Sequence, residues 1–390
     1  MTPQARVQAA IAILDEVIAA ARAKGAPADR LLSEWFRSRR FAGSGDRRAV
    51  RELVYAAIRA CGAVPESGRA AVLALVADDP ALAALFDGSR HAPEPIREGE
   101  PVAERGVAPA WLERALADSG LDGAEQAALL DRAPLDIRIN SLKAALAVLP
   151  EPGEATVAPL GRRYPPSTPV EQWEACRAGA IEVQDAGSQL VCEAVAARPG
   201  EAVVDLCAGA GGKTLALAAA MDDRGTLLAC DADRARLSRL PPRAERAGVH
   251  IADTRLLDPG KEAAGLADWR GRADAVLVDA PCSGTGTWRR NPEARWRLTE
   301  RELARLAAIQ SRLLDVAADL VKPGGRLVHV VCSLLDVEGA GQVEAFLARH
   351  PGWRAVPLAL GAGTARGPGV RLTPRADGTD GFFVARLERL

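Results

Sequence analysis

Ala202-Val203-Val204-Asp205-Leu206-Cys207-Ala208-Gly209-Ala210-Gly211-Gly212-Lys213-Thr214 is a short apolar run that ends in an acid and opens into a glycine-rich turn. Buried parallel strands read this way, because helices cover both faces of the sheet and leave no polar face to alternate. The unit recurs at Thr226 to Asp231, Ala275 to Asp279 and Arg326 to Val331, each run followed by a turn and a helically spaced segment. From Gly187 onward this repetition predicts a doubly wound, Rossmann-like α/β sheet. Ligands of such sheets lie beyond the carboxyl ends of the strands, so the residues just after each run carry the functional reading.

Upstream the grammar is helical. Val7, Ile11, Leu14 and Ile18, and again Val50, Leu53, Val54, Ile58 and Cys61, recur at helix spacing and predict an all-helical domain over residues 1–90. Pro93, Pro95 and Pro101 among charges mark 91–104 as a linker. A connecting subdomain is expected over 105–170, with two helical stretches, an alternating strand at Leu135 to Asn140 and an unassigned Pro/Gly-rich segment from Glu151 to Pro169. The Rossmann-like domain is expected over 171–390.

Composition narrows the class. With 48% hydrophobic and 26% charged residues the 390-residue chain reads as globular, neither disordered nor fibrous. No apolar run is long enough to span a bilayer and Met1 to Ala10 lacks a signal-peptide core, so the expected address is the cytoplasm, with no membrane partner. Seven scattered cysteines without a C-x-x-C pair or a histidine at ligand spacing predict free thiols and no metal site. A net charge of -1 argues against nucleic acid on its face, but arginine comes in bursts: Arg37, Arg39, Arg40; Arg47, Arg48, Arg51; Arg162, Arg163; Arg289, Arg290, Arg295, Arg297. Taken alone, each burst reads as a solvated face.

Three readings compete for the glycine loop. A phosphate-binding P-loop would end on Gly212-Lys213-Thr214, but its first glycine falls on Cys207. A dinucleotide fingerprint starts at Gly209 and Gly211 and then meets Thr214 where its third glycine belongs. S-adenosylmethionine needs a glycine turn without a complete anion cradle, plus a carboxylate for the ribose at the end of the next strand. Asp231 stands there, and Asp253 is a candidate for the adenine edge.

The third run ends Asp279-Ala280-Pro281-Cys282-Ser283-Gly284 and the fourth Val331-Cys332-Ser333. Both cysteines fall where strands open into the cleft, whereas Cys61, Cys176, Cys192 and Cys230 read as ordinary buried thiols. Carbon 5 of a pyrimidine becomes nucleophilic only after something adds to carbon 6, and a thiolate is the side chain best suited to that addition. One cysteine adding and a second group assisting release, with Asp279 at ring nitrogen 3, would complete such a reaction.

These segments resemble the RsmB-like, or Sun-type, family of S-adenosylmethionine-dependent RNA cytosine-5 methyltransferases. The matches are Asp205 to Thr214, Asp279 to Gly284, Arg289-Arg290-Asn291-Pro292, Cys332-Ser333, Arg138-Ile139-Asn140, Gln184-Asp185 with Ser188-Gln189, and Asp380-Gly381-Phe382-Phe383, which together cover roughly 130–390. The resemblance implies Cys332 as nucleophile, Cys282 in product release, and Asp279 with Lys213 at the target base. It also implies a cofactor site from Cys207, Ala208, Gly209, Ala210, Gly211, Gly212 and Lys213 with Asp231, Asp253 and Asp279.

On the same resemblance Arg138, Asn140, Arg289 and Arg290 face RNA, and the N-terminal helices are a NusB-like RNA-binding domain carrying Arg47 and Arg48. The implied product is 5-methylcytosine in 16S ribosomal RNA, made by a monomer. Transfer RNA as substrate, or a non-catalytic assembly factor retaining the fold, are the alternatives. The chain departs from the family at Ala210, where proline is usual, at Val331 for threonine, and at Gly339-Ala340, where Asn-Glu follows Glu338. The last change is expected to alter how the Cys332 loop is held.

Overall fold

The computed structural model describes residues 1–23 and 25–390. Packing divides them into two compact units, Met1–Asp131 with Thr287–Thr299, and Arg132–Gly286 with Glu300–Leu390. The expected boundary at 90 and the proline-rich 91–104 fall inside the first unit. There the stretch lies against helices, Ala103 N–H donating to Ala70 O and Gly62 N–H to Glu104 O. The expected junction at 170 falls inside the second unit.

In the second unit the four apolar runs become β5 (Ala202–Asp205), β6 (Thr226–Asp231), β8 (Ala273–Asp279) and β9 (Val321–Val331). With β7 (Ala252–Leu256) they pair in parallel in the order β7-β6-β5-β8-β9. The chain runs outward from β5 through β6 to β7 and then returns to β8 on the other side of β5. That reversal opens a crevice at the carboxyl ends of β5 and β8. Val203, Ala275, Leu277 and Val328 fill one face of the sheet and Val204, Val276, Val278 and Leu327 the other, which is why the runs are continuously apolar.

Two features were not predicted. β13 (Phe382–Arg389) pairs antiparallel to β9 and carries β12 (Gly369–Leu372), β11 (Thr364–Arg366) and β10 (Trp353–Val356). The segment left unassigned belongs to a separate antiparallel sheet of β1 (Leu135–Ile139), β2 (Glu154–Ala155), β3 (Gly161–Tyr164) and β4 (Ile181–Val183), ordered β2-β3-β1-β4.

The first unit packs helices Pro3–Arg22, Ala28–Ser38, Ser44–Ala60 and Gly68–Val76 around Ile13, Leu14, Val17, Leu32, Val54 and Ile58. A Cβ on Gly68 would strike the Ile11 carbonyl, so glycine there is what lets two helices approach. The segment Thr287–Thr299 completes this core. Arg295, wholly buried, donates to the carbonyls of Ile58 at 2.6 Å and Cys61 at 2.8 Å. Burial pushes its pKa down to about 10. The arginine burst at 289–297 is therefore no solvated face.

Two buried titratable groups on the central strands oppose each other in pH dependence. His329 on β9 meets the Glu338 carbonyl through Nε2 at 3.0 Å, while its Nδ1 has no partner. Burial lowers its pKa to about 4. The folded state therefore resists protonation, and stability falls as pH drops from 6.5 toward 4. Asp205 at the end of β5 accepts from Thr214 Oγ1 at 2.7 Å, and burial raises its pKa to about 7, so acidification from 7 toward 3.8 adds stability. We expect His329→Gln to lose up to roughly 3 kcal/mol of the wild-type acid sensitivity between pH 6.5 and 4. Asp205→Asn should shift the profile the opposite way. Denaturant titrations across that range measure both, and parallel curves for wild type and His329→Gln would refute the assignment.

Candidate active site

The site begins with backbone. After β5 the chain turns through Gly209 at φ +57° and Gly211 at φ +88°, and the helix Gly212–Ala220 starts at once. At Gly209 a Cβ would lie 2.8 Å from the Arg236 guanidinium, and at Gly211 it would overlap Leu240, so the turn closes only around glycine. Ala208 N–H donates to Cys230 O at 2.8 Å, and Arg243 donates to Ala210 O at 2.6 Å, pinning the loop to its neighbours.

At the end of β6, Asp231 accepts the N–H groups of Gly209 and Asp233, both at 2.7 Å. Its carboxylate is thus held in one orientation at the wall of a cavity of about 450 Å³. Cys207, Pro259, Glu262, Asp279, Cys282 and Cys332 line the same space, with Arg236 and Arg312. Arg312 is paired to Glu262 at 2.9 Å.

Lys213 does not reach into an anion cradle. Its Nζ lies 2.6 Å from Asp279 Oδ2. Burial opposes the charge, but the facing Asp279 carboxylate overrides it and the ammonium is held well above its ordinary pKa. A phosphate would have to displace that carboxylate and then face Asp231 and Glu262 as well, so the P-loop reading does not fit. A cationic sulfonium with ribose hydroxyls to donate does fit a cavity walled by carboxylates.

Cys282 and Cys332 meet with their sulfurs 3.3 Å apart. β8 and β9 are parallel neighbours with Asp279 opposite Val330; Cys332 follows β9 directly and Cys282 stands three residues past β8. Contact with the Cys332 sulfur first, and burial second, push the Cys282 thiol well above its usual range.

A set of polar side chains that the sequence reading passed over holds the two loops together. Glu338, wholly buried, accepts Ser283 N–H at 2.9 Å, Gln310 Nε2 at 3.0 Å and the Ser283 hydroxyl. Gln310 also donates to Pro281 O at 2.9 Å. Ser333 Oγ lies 3.1 Å from Ser283 Oγ and 3.2 Å from Thr285 Oγ1, and Gly286 N–H donates to Cys332 O. The signal was present: Gln310 is a lone amide on the apolar stripe Leu306, Leu313, Ala317 of the helix Glu300–Leu320. This clamp uses Glu338 alone, so the missing Asn-Glu at Gly339-Ala340 leaves it intact. A side chain at 339 would run into Phe383.

Several predicted site residues lie elsewhere. Asp253 is exposed near the start of β7, opposite Leu228, and does not line the cavity; Leu257 and Pro259, just past the strand's end, do. The register was misjudged because β7 is a polar edge strand without an apolar run to mark its end. Asn140 is buried and donates to the carbonyls of Gly179 and Ala247, both at 2.9 Å, leaving nothing to offer RNA. Arg138 is 4% exposed, its Nε donating to Gln184 Oε1 at 2.7 Å. Arg289 is buried in the helical unit, whereas Arg47, Arg48 and Arg290 are exposed.

Residues 192–388, half of the chain, match the family described as 16S rRNA methyltransferase RsmB/F. A curated relative from Thermus thermophilus, ribosomal RNA small subunit methyltransferase B, is 42% identical over 54% of this chain and 50% of its own length. The relative of the same name from Xanthomonas campestris is 35% identical over 75% of this chain and 69% of its own. The chain thus spans about half the length of the first of these and two thirds of the second. The solved structure of PH0851 superposes with a TM-score of 0.77 over 100% of this chain and 99% of that one, at 26% identity.

Replacing Glu338 by Ala would strand the buried Ser283 N–H and the Gln310 amide. We expect a loss of roughly 1–3 kcal/mol per orphaned group in denaturant unfolding. A midpoint equal to wild type would mean the clamp is idle.

Proposed function

Because the chain belongs to the 16S rRNA methyltransferase RsmB/F family, we propose that it transfers a methyl group from S-adenosylmethionine to carbon 5 of a cytosine in small-subunit ribosomal RNA. This substrate places its work in the cytoplasm. The reading is carried by one observation: two cysteine sulfurs 3.3 Å apart, at the carboxyl ends of adjacent parallel strands, beside a carboxylate-walled cavity built on a glycine turn.

S-adenosylmethionine, when bound, supplies an electrophilic methyl on a sulfonium. The loop Cys207–Lys213 would hold it with backbone, and Asp231 would accept from its ribose hydroxyls. The target cytosine must leave its stack to enter the cavity, which costs a few kcal/mol met by contacts to the RNA backbone. Arg47, Arg48 and Arg290, exposed in the helical unit, are the cations this reading assigns to such contacts.

Cys332 attacks carbon 6 as the thiolate, forming a carbon–sulfur bond and moving the ring's electron pair to carbon 5. Asp279, braced by Lys213, would accept from the cytosine's exocyclic amine and, once protonated, donate to ring nitrogen 3. Once carbon 5 has taken the methyl group, the broken sulfur–methyl bond leaving the neutral thioether S-adenosylhomocysteine, the proton on carbon 5 must leave. Cys282 as thiolate accepts that proton, the ring pair re-forms the double bond, and the bond to Cys332 breaks. Cys282, its sulfur in contact with that of Cys332, is the group this reading assigns to that step.

Cys282→Ala should therefore accumulate a denaturant-resistant protein–RNA adduct when RNA and cofactor are supplied, and Cys332→Ala should form none and transfer no methyl. Normal turnover by Cys282→Ala without adduct would overturn the division of labour. Bisulfite sequencing of ribosomal and transfer RNA with and without the gene identifies the target. A modified cytosine in transfer RNA alone would replace the proposed substrate. In calorimetry, S-adenosylhomocysteine should bind and ATP should not; tight magnesium-dependent ATP binding would refute the cofactor assignment.

A further inference from the structure

The helical unit contains a second cavity, of about 630 Å³, that the proposed methyl transfer does not use. Its floor is made of small residues of the helix Pro3–Arg22, and its walls are Gln8, Trp35, Arg39, Phe41, Arg90 and His91. Two aromatic rings are presented there. Phe41 is 72% exposed, an arrangement that leaves an apolar face in water. Trp35 carries the Arg39 guanidinium 4.2 Å from its ring centroid, a stacked cation beside the exposed ring.

The charge around this cavity has one sign. Among the described residues lining it, Arg39, Arg90 and His91 are basic and none is acidic. Two carboxylates that reach the start of the unit's N-terminal helix are already engaged. Asp46 accepts from the Met1 amine at 3.1 Å and Arg6 at 2.9 Å, and Asp87 accepts from Gln4 at 3.2 Å. An apolar peptide would gain nothing from the cations, and an acidic peptide would not need an exposed ring. A partner that is both flat and anionic uses both.

We propose that this cavity is a docking site for an unpaired nucleotide of RNA, its base stacked on Phe41 and its phosphates held by Arg39 and Arg90. Stacking tolerates any base, since every base has a π-face, so the site grips single-stranded RNA without reading sequence. A paired base has both faces covered and cannot enter, so the site selects unpaired segments. The inference rests on the reading of this chain as an RNA enzyme, but adds a contact remote in sequence from both cysteines.

The test uses the full chain and a fluorescently labelled single-stranded RNA hexamer, with the same strand in a duplex and an Asp/Glu-rich hexapeptide as comparison probes. Wild type should bind the single strand better than either. Phe41→Ala, a substitution at an exposed position, should weaken binding roughly tenfold with little change in salt dependence. Arg39→Ala combined with Arg90→Ala should lower the slope of log affinity against log salt by roughly one to two. If wild type binds no RNA at all, the enzyme reading itself fails. If it binds RNA but both variants match wild type in affinity and salt slope, the cavity is not the site. Preference for the acidic peptide, or equal binding of duplex, would likewise overturn the proposal.

Discussion

Parallel pairing of β8 with β9 is the constraint on which the candidate site depends. The register that sets Asp279 opposite Val330 brings Cys282 and Cys332, fifty residues apart in sequence, to sulfur contact. A register shift of one residue in either strand would turn the alternating side chains to the other face and separate the pair. The strands are held in register by what covers them. Val276, Val278 and Leu327 are buried on one face and Ala275, Leu277 and Val328 on the other, where each side chain packs against its own cluster.

Strand pairing brings the loops near each other, and polar contacts then fix them. Glu338 is the acceptor on which the loop after β8 converges, and Gln310 ties that acceptor to the Pro281 carbonyl. Such a network is costly to bury unless its donors are matched; Glu338 takes three donations, while Gln310 Oε1 has no partner among the described residues. The same balance governs Lys213 and Asp279, a buried cation kept charged by the carboxylate it touches. The result is a cavity whose charges are organised before any ligand arrives, which is the arrangement that stabilises charge developing during a reaction.

In the helical unit a comparable principle operates without chemistry. Arg295 and Trp296 fill the centre of the helices and satisfy the carbonyls at the end of Ser44–Ala60. Of the motif Arg289 to Pro292, whose arginines were expected to face RNA, Arg289 and Pro292 are buried while Arg290 and Asn291 are exposed. Guanidinium groups can do this because several fixed donors meet several fixed carbonyls at once.

Sequence alone determined the strands β5, β6, β8 and β9, the helical character of the first ninety residues, the glycine turn and the two cysteines at strand ends. Each of these is a local pattern: apolar runs, 3.6-residue spacing, glycine where a Cβ has no room. Only the tertiary structure decided what those residues face. Asn140 turned inward because two carbonyls from distant segments needed its amide, and Asp253 fell near the start of its strand because an exposed edge strand has no apolar run to reveal its end. Glu338 and Gln310 became a clamp only when a helix, a strand end and a loop converged. Side-chain roles made by long-range contacts depend on partners far away in the chain, and a linear pattern records the residue but not the partner.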